Sequence, residues 1–136
     1  MTTIIKKNEV FLKVEAEPHL HKELSEHFQF EVPGAKFMPA VKRRYWDGKI
    51  RLYSPGTGEI YVGLYDYLTD YLEQKGYDYE VLEDKYFGRP TDIEEYVTPE
   101  GTAAFIRSLR LPYKVRDYQL RGIYTAIKFR RKLLLS

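Results

Sequence analysis

Residues 113 to 136 read Tyr113-Lys-Val-Arg-Asp-Tyr-Gln-Leu-Arg-Gly-Ile-Tyr-Thr-Ala-Ile-Lys-Phe-Arg-Arg-Lys-Leu-Leu-Leu-Ser136. Leu120, Ile123, Tyr124 and Ile127 recur three and four apart, which predicts a helix with one apolar stripe. Arg130, Arg131 and Lys132 put positive charge on its last turn, where the helix dipole favours cations. Leu133, Leu134 and Leu135 then begin a buried apolar strand. A helix feeding a short hydrophobic strand predicts the opening of a further domain behind the first 112 residues.

Those earlier residues read as a small α+β domain followed by a linker and a helix. Across 3–15, Val10, Leu12 and Val14 alternate with Phe11, Lys13 and Glu15, the pattern of one strand with a buried face. Glu17-Pro18 opens a helix whose inner stripe is Leu20, Leu24 and Phe28. Phe28, Phe30 and Val32 alternate as the chain extends, Pro33-Gly34 turns it, and Pro39 to Trp46 form a short irregular or helical segment. Asp47-Gly48 is a strong turn dipeptide ahead of the strand-like Lys49-Ile50-Arg51-Leu52-Tyr53. Pro55-Gly56-Thr57-Gly58 leads on to Glu59-Ile60-Tyr61-Val62, so the two runs predict a hairpin.

Leu64, Leu68, Tyr71 and Leu72 define a helix that Gly76 ends, and Tyr77, Tyr79 and Val81 alternate in a last strand. Tyr61, Tyr65, Tyr67, Tyr71, Tyr77 and Tyr79 read as core and sheet packing. Asp84 to Tyr96 is polar and reads as a linker. Thr98-Pro99-Glu100 starts a helix with threonine as N-cap, Phe105, Ile106 and Leu109 fill its inner face, and Pro112 stops it. The expected fold class is α+β, a small mixed sheet packed with two or three helices over 1–87. A linker and helix span 88–112, and the start of another domain spans 113–136.

A net charge of +2 hides strong segregation. Residues 36–58 hold six basic and one acidic side chain, +5, and residues 107–136 hold nine basic and one acidic, +8. Between them, residues 59–106 hold three basic and twelve acidic, −9. Such blocks bear on partners rather than on fold: they suit a nucleic-acid face with a solvated back, or merely a well-solvated domain. The absence of cysteine excludes disulfides and cysteine-ligated zinc and fits a reducing compartment. No apolar run approaches the ~20 residues that span a bilayer, and the expected location is the cytoplasm.

Two stretches carry chemistry. In Lys42-Arg43-Arg44-Tyr45-Trp46-Asp47-Gly48-Lys49-Ile50-Arg51, five cations and two large aromatics surround one tight turn. Lysine and arginine neutralise phosphates and release counterions, and tyrosine and tryptophan offer faces on which an unpaired base stacks. Trp46, as the only tryptophan, reads as a core anchor rather than a displayed ring, and the cations read as facing nucleic acid; the alternative makes Tyr45 an anchor too and the cations a solvated rim. In Arg116-Asp117-Tyr118-Gln119, the glutamine amide both donates and accepts in one plane, matching adenine's N6 and N7, and an aromatic beside it can stack. The bland reading is an exposed glutamine at a helix start.

The tail resembles the adenine-recognising Q motif of superfamily 2 helicases, in the branch that writes it Arg116-x-Tyr118-Gln119. The front resembles the N-terminal region of phage UvsW-type helicases through Phe37-x-Pro39, Tyr45-Trp46-Asp47-Gly48-Lys49-Ile50-Arg51-Leu52 and the helix from Leu64 to Gly76. The likeness implies an ATP-dependent machine that remodels branched DNA or R-loops in replication, recombination and repair. It implies that Lys42, Arg43, Arg44, Tyr45, Trp46, Lys49 and Arg51 meet DNA: duplex, forked or branched, with an RNA–DNA hybrid as a further substrate. Arg116, Tyr118 and Gln119 would contact adenine, and 113–136 would be the first helix and strand of a RecA-like motor, ending before its phosphate loop. ATP and Mg would then belong to the full-length parent with the remainder of its motor. This chain by itself would bind ATP poorly and catalyse nothing.

Two rivals stand beside that reading: a free-standing nucleic-acid-binding protein without a motor, and a protein-interaction module whose basic turn docks on an acidic partner. Other chemistries fit poorly. His19, His21 and His27 share one helix with a single suitably spaced carboxylate, Glu23, which predicts no metal site. The acidic residues Glu83, Asp84, Asp92, Glu94 and Glu95 lack calcium-loop spacing, and no nucleophile motif is present.

Overall fold

Asn8 breaks the run that the alternation at 3–15 predicts as a single strand. Its Oδ1 accepts from the backbone N–H of Val10 at 2.8 Å and of Phe11 at 2.7 Å, an Asx turn that folds the chain back. Two strands result, β1 (Thr2–Lys6) and β2 (Phe11–Glu15), antiparallel with Ile4 opposite Val14. Leu12 and Val14 are sealed as expected, but Val10 lies in the turn, 53 % exposed. The computed structural model describes residues 1–91 and 96–129, and the chain divides into two units, Met1–Pro90 and Thr91–Ser136.

In the first unit, α1 (Pro18–His27) begins at its proline, and its four-residue stripe of Leu20, Leu24 and Phe28 is buried. After α1 come β3 (Gln29–Glu31), a 3₁₀ turn (Ala35–Phe37), α2 (Pro39–Lys42) and β4 (Lys49–Arg51). The strands β5 (Tyr53–Ser54) and β6 (Glu59–Tyr61), a second 3₁₀ turn (Val62–Leu64), the helix α3 (Tyr65–Lys75) and the strand β7 (Tyr79–Leu82) complete the unit's regular elements. The main sheet has the order β5-β6-β2-β1-β7, antiparallel except where β7 runs parallel to β1. Ile4, Leu12, Val14 and Ile60 from the sheet meet Leu20 and Leu24 of α1 and Leu68 and Leu72 of α3 in one core. Each such fully buried side chain contributes about 1.5–3 kcal/mol.

The run from Lys49 to Tyr53 is not one strand. β4 pairs with β3 in a separate two-stranded ribbon, with Phe30 opposite Ile50. At Leu52 the chain changes sheets, its amide donating to the Phe28 carbonyl at 2.7 Å, and only Tyr53–Ser54 form the expected hairpin with β6. Side-chain chemistry explains the break. Tyr53 is sealed in the core, whereas Lys49 and Arg51 are cations that need solvent and stay exposed.

The stretch from Asp84, expected as open linker, first closes on itself. Asp84 and Gly88 form an antiparallel bridge, and Asp84 Oδ1 accepts from the amides of Tyr86 and Phe87. In the second unit, α4 (Pro99–Ser108) starts where Thr98 Oγ1 accepts from the Gly101 amide at 3.0 Å. Its buried stripe is Thr102 and Ile106, so Phe105 and Leu109, expected inside, are 56 % and 51 % exposed. The inner face is one turn of Thr102 and Ile106, four apart, and Phe105 and Leu109 fall beside it. The predicted tail helix is α5 (Asp117–Phe129). The cations Arg130, Arg131 and Lys132, the expected strand at Leu133 to Leu135, and Asp92 to Glu95 of the linker lie outside the described residues. Among the described residues no helix is long and apolar enough to cross a membrane.

Candidate nucleic-acid interface

The helix α2 ends in a Schellman motif built on an arginine. The Tyr45 amide donates to the Ala40 carbonyl at 2.9 Å and the Arg44 amide to the Val41 carbonyl at 3.0 Å. That pattern needs a left-handed residue at Arg44, whose φ is +60°, where glycine is the ordinary occupant. Lys42, Arg43, Arg44 and Tyr45 are all exposed there, Tyr45 at 82 %. Trp46 is neither sealed nor displayed: it is half-buried, and its Nε1 donates to the Lys49 carbonyl at 2.9 Å, strapping the turn.

Asp47 orients the start of β4. Its Oδ1 accepts from the Lys49 amide at 3.1 Å and its Oδ2 from the Arg51 guanidinium. The Arg51 hydrogen bond, then the one from the Lys49 amide, holds the Asp47 carboxyl below the usual carboxylate range. Gly48, at φ +80°, sits sealed against the domain with its carbonyl accepting from the Val32 amide at 2.8 Å. A Cβ there would lie 3.0 Å from the Ala35 Cβ, so the turn requires glycine twice over.

Lys49 and Arg51 are two apart on β4 and therefore share one face. That face forms one wall of an open groove of about 740 Å³, whose other wall is α1 with His21, Lys22, Ser25 and Glu26. The Pro55-Gly56 turn closes one side of it. Lys22 was not among the sequence-predicted site residues. It carries a signal all the same: Lys22, Ser25 and Glu26 fall three and four apart on α1, off the Leu20–Leu24 stripe. His21 is anchored by a hydrogen bond between its Nδ1 and the Tyr53 hydroxyl, whose pKa burial raises.

Arg116, Tyr118 and Gln119 gather at the start of α5, in the second unit, all exposed. Gln119 Oε1 accepts from the Arg116 amide at 3.0 Å, which is half of a capping box, and Arg116 Nη1 lies 3.5 Å from the Tyr118 hydroxyl. Local capping thus accounts for the glutamine without a ligand. Its NH₂ group and the second lone pair of Oε1 still fit adenine's N7 and N6. Among the described residues no group of histidine and carboxylate side chains could hold a metal ion.

Residues 5–84 match the family described as DNA helicase UvsW, N-terminal. A crystal structure of the UvsW helicase from bacteriophage T4 is similar to this chain with a TM-score of 0.76 at 20 % identity, covering 97 % of this chain and 46 % of that one. A second crystal structure of T4 UvsW gives a TM-score of 0.74 at 20 % identity, covering 96 % of this chain and 26 % of that one. The chain therefore spans less than half the length of either solved chain. At such identity the likeness establishes fold alone. No curated protein matches the chain.

Proposed function

The chain belongs to the N-terminal family of UvsW DNA helicases, and on that premise we propose that it grips DNA on behalf of an ATP-driven motor. The observation that carries the reading is the basic excursion of the first unit. Lys36, Lys42, Arg43, Arg44, Lys49 and Arg51 are all exposed within sixteen residues, and Lys22 faces Lys49 and Arg51 across the groove. Of these, Arg51 is tied to the Asp47 carboxylate. The Schellman turn at Arg44 and the Asp47-Gly48 turn hold the cations outward, where phosphates reach them without displacing core side chains.

In this reading the substrate is DNA with a junction or fork, including R-loops with their RNA–DNA hybrid. Residues 1–87 form the DNA-binding domain, 88–112 the linker and helix, and 113–136 the beginning of a RecA-like motor. ATP and Mg belong to the full-length parent, where hydrolysis drives stepping. Arg116 and Gln119 would hold the adenine edge and Tyr118 would stack beside it. Those residues reach only the base end of the nucleotide, so this chain by itself binds ATP weakly.

The test is a salt titration of binding to a forked oligonucleotide. Neutralising four to six phosphates gives a log–log slope of about −3.6 to −5.4, hence a loss of roughly 10²–10³-fold between 50 and 200 mM salt. Replacing Arg43 and Arg44 by alanine should weaken binding to every sequence and flatten that slope by about two phosphates' worth. A flat salt response, or no binding to forked DNA, removes the proposal.

A further inference from the structure

The β3–β4 ribbon has two faces, and the DNA-gripping reading uses one. Lys49 and Arg51 face the cationic groove. Their neighbour Ile50 and its cross-strand partner Phe30 take the other side, 41 % and 47 % exposed. Beyond Phe30 a second groove of about 420 Å³ runs between the ribbon and α3. Phe28 and Tyr71 form its buried floor, Phe30 and Tyr67 its exposed walls, and Gln74 and Asp70 its polar edge. Tyr67, expected in the core, is 66 % exposed here. Gln29 lines both grooves, so the width of one strand separates them.

We infer that this second groove receives an unpaired nucleobase from a strand whose phosphates lie along the cationic face of the same ribbon. The inference rests on the DNA-binding reading and adds a site to it. Three features select that occupant. The walls are aromatic and accessible, and the groove already accommodates ring-on-ring contact, since the His27 and Tyr71 rings pack in a tilted pair with centroids 4.2 Å and planes 32° apart. The polar lining pairs the Asp70 carboxylate with the Gln29 and Gln74 amides, groups that accept from and donate to the edge of a base. Charge then sets the orientation. Asp66, Asp70 and Glu73 are exposed along α3 and outnumber its one cation, Lys75, whose Nζ lies 5.9 Å from the Tyr71 ring centroid; the net negative helix disfavours phosphate, so a neutral heterocycle enters while the backbone stays on the cationic side. A base stacked and paired inside a duplex cannot reach between Phe30 and Tyr67. The site therefore distinguishes a fork from closed duplex.

The experiment compares three ligands of equal phosphate count: a closed duplex, a fork with single-stranded arms, and the same fork with abasic arms. Wild type should bind the normal fork roughly 5–150-fold more tightly than the other two, the equivalent of stacking one base. The double variant Phe30→Ala, Tyr67→Ala should bind all three ligands alike and retain the wild-type salt slope. Both side chains are exposed, and the abasic comparison on wild type decides the matter even if that variant fails to fold. An abasic fork bound as tightly as the normal one overturns the inference and leaves the groove to an apolar peptide. A double variant that keeps its fork preference overturns it as well. Failure of the underlying reading looks different: wild type then binds none of the three ligands.

Discussion

Arg44→Gly should separate what the fold wants from what the ligand wants. An L-residue held in the left-handed region costs about 1–2 kcal/mol, and glycine carries an extra unfolded-state entropy cost of roughly 0.5–1 kcal/mol. The Schellman hydrogen bonds from the Arg44 and Tyr45 amides are backbone bonds and survive the change. The arginine side chain is exposed and none of the core depends on it. The balance is a gain of about 0–1.5 kcal/mol, and in a domain of 60–100 residues each kilocalorie raises Tm by about 4–8 °C. Thermal unfolding is read by the fluorescence of Trp46, the chain's only tryptophan, two residues away in the same turn. Arg44→Ala keeps the strained backbone and should stay within about 0.5 kcal/mol of wild type. Both variants should lose one phosphate contact, seen as a salt slope smaller by about 0.9. A destabilised glycine variant would refute the strain assignment. A stabilised one with an unchanged slope would show that Arg44 is not held there to meet a polyanion.

Three other contacts make equally definite demands. Gly48→Ala should lower the urea midpoint by the equivalent of at least about 1–2 kcal/mol, since the left-handed φ and the approach to Ala35 both oppose a Cβ; an unchanged midpoint would contradict the geometry of the turn. Thr98→Ala should cost α4 about 1 kcal/mol through loss of the cap to Gly101, measurable by hydrogen exchange of the first-turn amides. Tyr53, Tyr65, Tyr71, Tyr77 and Tyr79 all have raised pKa values, Tyr79 to about 12 because its hydroxyl donates to the Glu73 carboxylate. The folded state thus favours the neutral phenols. That preference is fully present below the ordinary tyrosine value of about 10 and is lost as pH rises through the folded values. Stability to urea should therefore fall between about pH 10 and 12, and a midpoint constant over that window would refute the assignment.

Features set by neighbours in sequence were legible in the chain. The caps at Pro18 and Thr98, the stripe of Leu20, Leu24 and Phe28, the helix closed by Gly76 and the Asp47-Gly48 turn are local chemistry, and the structure contains each of them. Misreadings arose where one pattern continued across a change of partner. Ile4 is in phase with Val10, Leu12 and Val14, so a hairpin looked like one strand, although the polar run Lys6-Lys7-Asn8-Glu9 between them is where the chain turns. Alternation also runs through Leu52, where the chain leaves one sheet for another. Tyr67 and Phe105 show the limit of composition: aromatic character signals burial, but which residue of a turn faces inward depends on what lies opposite. In the candidate site the cations of 42–51 were visible as a cluster, whereas Lys22 joins them only through the packing of α1 beside β4. Gln119 stands out in the sequence as an adenine reader, whereas its role as a cap depends on a side-chain rotamer that returns Oε1 to the Arg116 amide.

The pairing of β1 with β7 ties Thr2 to Tyr79 and Thr3 to Glu80, residues 77 positions apart along the chain. The front unit is thus fastened like a belt whose buckle is its own first and last strands. A ribosome must release Leu82 before the buckle can close, and joining strands so far apart along the chain makes that closure a late and slow step of assembly. Trimming the first six residues would expose the long edge of β2 and strand β7 together, turning a finished domain into a template for joining other chains.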